Sequence, residues 1–101
     1  MSLNRYAAKR DENERSIIDS LLKLGYLVYQ LDQPVDLLVG RRGNRYWALL
    51  EVKMPGKKLT DGQVQFFQES EGTTRFIVHS AEEARNVCSV WIDRCADAEP
   101  T

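Results

Sequence analysis

Apolar residues recur along this chain at two different periods, and the switches between the periods mark out its elements. Ile17, Ile18, Leu21 and Leu22 return at the three-and-four spacing of a helix that buries one face. Asp11 stands where an N-cap belongs, Glu14 follows as its capping-box partner, and Gly25 supplies a stop, which predicts a helix over about 11–24. Three strands follow. Residues 26–31 are aromatic and β-branched, 35–39 form a short apolar run broken by Asp36, and 45–53 form the longest. The turn Gly40-Arg41-Arg42-Gly43-Asn44 is short enough to join the last two as a hairpin, and Pro55-Gly56 ends the third strand. Thr60 caps a second helix over about 61–71, with Gln63 at the capping-box position, Val64 and Phe67 toward the core and Gly72 as the stop. Residues 75–79 read as a fourth strand. Ser80 then caps a third helix, with Glu83 closing its box and Ala84, Val87, Cys88 and Trp91 as its buried stripe. The order is α-β-β-β-α-β-α. A meander followed by a β-α-β crossover predicts an α/β fold with a central mixed sheet flanked by helices.

No repeat, linker or low-complexity tract interrupts this pattern, so the 101 residues read as one domain, 1–101, with its core over about 5–95. A chain of this length supports one modest core rather than a deep enclosed cleft, and a large site would favour an oligomer. There is no apolar run near the ~18 residues of a membrane span and no signal peptide, which predicts a cytosolic protein without a membrane partner. Cys88 and Cys95 are seven positions apart. On a helix that is about 10 Å, too far for a disulfide, so both read as reduced residues of an intracellular protein.

The net charge of −1 points to no particular partner, but its distribution is uneven. Between positions 41 and 58 lie Arg41, Arg42, Arg45, Lys53, Lys57 and Lys58 against one acid, Glu51, whereas the stretch after Ala81 is predominantly acidic. The basic stretch is either a solvated charged hairpin or a surface facing a polyanion. On the second reading Arg41, Arg42, Arg45, Lys57 and Lys58 contact nucleic acid.

Alternation along the third strand puts Tyr46, Ala48, Leu50 and Val52 on one face and Trp47, Leu49, Glu51 and Lys53 on the other. Alone, Glu51 and Lys53 would be an ion pair where a strand leaves the core. Asp36 changes that, because it interrupts an apolar run where a charge is costly unless paired or metal-bound. A hairpin brings Asp36 toward Glu51, and two close carboxylates need a proton or a cation between them. Hard oxygen ligands without sulfur or imidazole favour Mg²⁺ or Mn²⁺, with the Val52 carbonyl as a possible third oxygen. A divalent ion with a lysine beside it is the equipment of phosphodiester hydrolysis. Glu14 lies on the core-facing stripe of the first helix, where it can either reach this site or serve only as the capping partner of Asp11. Gln63 is likewise either a site residue or the partner of Thr60, with Gln65 a weaker rival. His79 reads as a structural strand-end residue, and Tyr46 and Trp47 as core or dimer-contact residues. No zinc-spaced Cys/His cluster and no phosphate-cradling glycine loop is present.

Asp36, a hairpin turn and then Glu51-Val52-Lys53 resemble the PD-(D/E)XK nuclease superfamily. Lys9 to Glu14, Pro34 to Gly40, Leu50 to Lys53 and Leu59 to Gln63, in this order over about residues 5–90, resemble one branch of it. That branch is the virus-type replication-repair nuclease (VRR-NUC) domain, in its small stand-alone phage and bacterial form. Where the family often has proline next to the acid, Val35 here separates Pro34 from Asp36. The resemblance implies a restriction-endonuclease-like core and an active site of Glu14, Asp36, Glu51, Lys53 and Gln63. Asp36, Glu51 and the Val52 carbonyl would bind the metal, with Glu14 assisting directly or through water. It also implies a bacterial or phage-encoded homodimer acting in DNA repair on branched DNA such as Holliday junctions, or on flaps. The expectation is therefore a Mg²⁺- or Mn²⁺-dependent DNA endonuclease. The rivals are a catalytically silent nucleic-acid-binding module and a phage interaction protein on the same fold.

Overall fold

The computed structural model describes residues 12–95. The first helix, α1, spans Glu12–Lys23. Its buried stripe is Glu14, Ile17 and Leu21, with Ile18 packed at the margin, while Leu22 turns out to solvent. The helix closes with the Tyr26 amide donating to the Leu21 carbonyl and the Gly25 amide to Leu22, and Gly25 sits at φ +88°, a conformation that only glycine adopts without strain. The expected cap, Asp11, lies outside the described residues.

Four strands form one mixed sheet in the order β1-β2-β3-β4: β1 (Leu27–Gln30), β2 (Leu37–Gly40), β3 (Ala48–Val52) and β4 (Arg75–Val78). The first three pair antiparallel and β4 lies parallel to β3, so the meander and the crossover of the sequence pattern are both present. The second helix, α2 (Asp61–Glu69), makes that crossover, and the third, α3, spans Ala81–Cys88. Register puts Leu37, Val39, Ala48, Leu50, Val52, Phe76 and Val78 on one face of the sheet, packed with Ile17 and Leu21 of α1 and Ala84 and Cys88 of α3 as a single core. The opposite face carries Tyr29, Leu38, Leu49, Glu51, Arg75 and Ile77. Trp47 lies on it against Gly40, where a β-carbon would come within 1.9 Å of the indole.

Four local expectations differ from what the fold does. β3 begins at Ala48 rather than Arg45, because the Asn44 side chain accepts the Tyr46 amide and the Trp47 indole donates back to the Asn44 carbonyl, which turns this stretch away from the ladder. Helix α2 has no buried residue: Val64 is 41% exposed and Phe67 only partly covered, so this helix rides on the outer face instead of joining the core. The Ser80 hydroxyl does accept the Glu83 amide, but Glu83 returns its carboxylate to the amide of His79, not to that of the cap. That bond, with the His79 ring next, holds the Glu83 carboxyl below its usual range. Finally, α3 widens into a π-helical segment, Ser89–Arg94. Its i→i+5 bonding turns Ile92 inward in place of Trp91, which is 45% exposed.

The π-helical segment is tied down at the β2–β3 hairpin end. Arg41 Nε donates to Asp93 Oδ1 at 2.6 Å, the Tyr26 hydroxyl donates to Asp93 Oδ2 at 2.6 Å, and the Arg41 guanidinium lies 3.8 Å over the Tyr26 ring. Burial works against the Asp93 charge, but the bonds from Arg41 and Tyr26 hold its carboxyl below the usual range. Burial, then Asp93, pushes the Tyr26 hydroxyl upward, so it stays a donor. Removing the acceptor with Asp93→Ala should lower unfolding free energy by about 2 kcal/mol, read by urea denaturation, because two part-buried donors lose their partner. Cys88 is fully buried and its thiol is pushed up to about 12, chiefly by burial; it and Cys95 are both free. Among the described residues no helix is long and apolar enough to cross a membrane.

Candidate active site

Antiparallel β2 and β3 place the start of one strand beside the end of the other. Asp36 precedes β2, and its Oδ2 accepts the Val52 amide at 2.8 Å, closing the ladder where backbone pairing stops. Glu51 and Lys53 follow from the same register. Glu51 faces outward yet is only 2% exposed, and Lys53 is anchored by its amide, which donates to the Val78 carbonyl at 3.0 Å. Lys53 Nζ lies 3.5 Å from Glu51 Oε2. The carboxyl end of β3 thus holds Glu51 with Lys53 beside it and Asp36 next to it, at the end of the sheet where ligands of such folds collect.

Gln63 serves two purposes at once. Its amide donates to the Thr60 hydroxyl at 3.3 Å and its side-chain oxygen accepts the Thr60 amide at 3.0 Å, which completes the capping box of α2. Its Nε2 donates to Glu51 Oε2 at 2.7 Å. The capping side chain also reaches Glu51 because the N-terminus of α2 lies over the end of β3. Gln65, by contrast, bonds along its own helix to Glu69. Gln63→Ala should cost about 1 kcal/mol by loss of the box. It should also slow any chemistry at Glu51 by about tenfold, through loss of one hydrogen bond to a charged group. Thermal unfolding and a rate measured on the same preparation read the two effects separately.

The other carboxylate oxygen, Glu51 Oε1, is buried and has no hydrogen-bond partner among the described residues. Burial first and Asp36 second push the Glu51 carboxyl up to about 7, against the pull of Lys53. An orphaned acceptor beside a second carboxylate is a place for a proton or a cation. All the donors here are hard oxygens, so the residues fit a small divalent ion held by Asp36 and Glu51. Among the described residues no three His, Cys, Asp or Glu side chains converge closely enough to cage an ion, so Glu14 does not complete a three-carboxylate set. Glu14 is nonetheless buried at 5% exposure, and its turn of α1 stands at this end of the sheet, because the neighbouring Asn13 donates to the His79 carbonyl at 3.1 Å. His79 itself is engaged with Glu83, in keeping with a structural part.

The basic stretch does not act as one surface. Lys57 and Lys58 are exposed in the loop after β3, at the carboxylate end. Arg42 and Arg45 are exposed on the hairpin connection at the other end of β3, about 13 Å away along the strand. Arg41 is occupied by Asp93 and by the Leu24 carbonyl, so its charge is neutralised within the fold instead of facing a polyanion. Sequence reasoning missed Arg75. Its Nε donates to the Ser70 hydroxyl at 2.7 Å, its Nη2 donates to the Phe67 carbonyl, and it fastens the C-terminus of α2 to β4. The signal was a lone arginine opening an apolar strand.

The chain matches no family model, and comparison with curated proteins and with solved structures finds none similar to it.

Proposed function

We propose that this protein is a divalent-metal-dependent DNA endonuclease with a restriction-endonuclease-like core. Asp36, Glu51 and Lys53 are its active site. One observation carries the reading: a buried carboxylate with an oxygen unpartnered among the described residues, next to a second carboxylate and 3.5 Å from a lysine. An inert core has no use for this cluster, since burying it is costly without a proton or cation.

The chain's own residues have distinct tasks. Asp36, fixed through the Val52 amide, and Glu51, fixed through Gln63, hold their oxygens at the end of β3 for Mg²⁺ or Mn²⁺, with the Val52 carbonyl and Glu14 through water as further oxygens. What such an ion supplies is charge stabilisation at the phosphoryl oxygen and a more acidic water. Lys53 keeps its ammonium beside Glu51, where it can donate to a phosphate oxygen or orient the attacking water. Lys57 and Lys58 stand on the same side and favour the approach of a phosphate backbone. A homodimer belongs to the proposal, since a two-fold axis would supply two such sites for paired cuts in branched DNA.

The test is incubation with labelled duplex, flap and four-way-junction DNA in Mg²⁺, in Mn²⁺ and in EDTA, with the oligomeric state read by light scattering. Cutting of the branched substrates in metal and none in EDTA is expected. DNA bound in EDTA but cut in neither metal would instead leave a binding module, and no binding at all an interaction protein.

A further inference from the structure

Next to the carboxylate site, and sharing Gln63 with it, lies a cavity of about 290 Å³. Its walls are Asp32, Gln33 and Pro34, from the β1–β2 connection, and Thr60, Gly62 and Gln63, from the start of α2. The same Gln63 that walls it holds Glu51 Oε2 at 2.7 Å, so a group seated here is within one side chain of the proposed metal site.

The lining decides what class of group fits. Among the described residues no cation lines the cavity, and Asp32 would repel an anion, which disfavours a phosphate there. Carboxylate, amide and hydroxyl walls make a poor seat for a purely apolar ligand. A nucleobase offers what these walls complement. Asp32 can accept from a ring or exocyclic N–H, the Gln33 amide can both donate and accept, and the Pro34 ring gives an apolar wall for a flat face. The wall is open at Gly62, where an added β-carbon would meet nothing within 4 Å.

We infer that this cavity receives the nucleobase beside the phosphate to be cut, turned out of its stack, while that phosphate lies against Lys53. The inference rests on the nuclease reading and adds what selects the substrate. Turning a base out of a duplex costs a few kcal/mol, and least where it is already unpaired. A base-receiving cavity next to the cutting site therefore favours flaps, junctions and mismatches over continuous duplex without reading sequence strictly.

The experiment compares flap DNA carrying an intact base beside the cut with the same DNA abasic at that nucleotide. Wild type should cut the abasic substrate about tenfold more slowly, the weight of one base contact. Gly62→Leu, which adds bulk at a residue lining the cavity, should slow the intact substrate by a similar factor and cut both substrates at the same rate; Gln33→Ala should shrink the difference too. Equal rates on the two substrates with wild type overturn the inference, as does undiminished discrimination by both variants. A second arm needs no cleavage: 2-aminopurine is placed at successive positions of flap DNA bound to Asp36→Asn protein. A fluorescence rise at one position, lost when Gly62→Leu is added, is expected, and no position-specific rise overturns the cavity's role. Failure of wild type to cut anything counts against the nuclease reading alone, and the fluorescence arm still decides the cavity.

Discussion

Asp36→Asn and Lys53→Ala should each yield a folded protein that cuts branched DNA at least about a thousandfold more slowly than wild type, the scale of losing one charged partner from a preorganised transition-state site. Asparagine keeps an oxygen that can accept the Val52 amide, so the end of the β2/β3 ladder survives while the charge that would hold a cation is gone. The two variants should part company in binding. Removing a negative charge leaves DNA affinity in EDTA unchanged or raised, whereas removing the Lys53 ammonium lowers it and reduces the salt dependence. Single-turnover cleavage and anisotropy at two salt concentrations measure all of this. A rate within tenfold of wild type for either variant would remove that residue from the active site.

Glu51→Gln should stabilise the metal-free protein at pH 8. The Glu51 carboxyl is pushed up to about 7 by burial and by Asp36, above its ordinary 4.5. The folded state therefore binds more protons than the unfolded one between those values, and stability falls as pH rises through the window. The full span corresponds to about 3 kcal/mol. Glutamine removes the titration, keeps an oxygen for the Gln63 donor and turns an N–H₂ group toward Asp36, at the expense of the Lys53 pairing. The net gain at pH 8 in EDTA should be about 2 kcal/mol, vanishing below about pH 4.5. Urea denaturation of both proteins across this range checks it, and a variant less stable than wild type at pH 8 contradicts the account of Glu51 as a strained, charged group.

Much of the site was legible because it depends on local rules. Strand alternation placed Glu51 and Lys53 on one face, and the hairpin length brought Asp36 to the end of β3. The Thr60 box predicted the start of α2. What could not be read depends on contacts between distant residues. Whether Gln63 only caps α2 or also reaches Glu51 is undecidable from spacing, and the fold does both by laying α2 over Glu51. Arg41 looked like any other basic residue of the hairpin, since its partner Asp93 is far away in sequence. Trp91 fitted the helical stripe as well as Ile92 until the backbone widened. The basic stretch looked continuous because a sequence does not show that β3 separates its two halves.

The nuclease proposal requires Asp36 and Glu51 together to hold a divalent cation. Calorimetric titration of Mn²⁺ and Mg²⁺ into metal-free protein at pH 8 decides this, with thermal unfolding of the same samples. Wild type should bind at least one ion per chain and unfold at higher temperature when loaded, while Asp36→Asn and Glu51→Gln bind none. No binding to wild type, or equal binding to all three proteins, would contradict it.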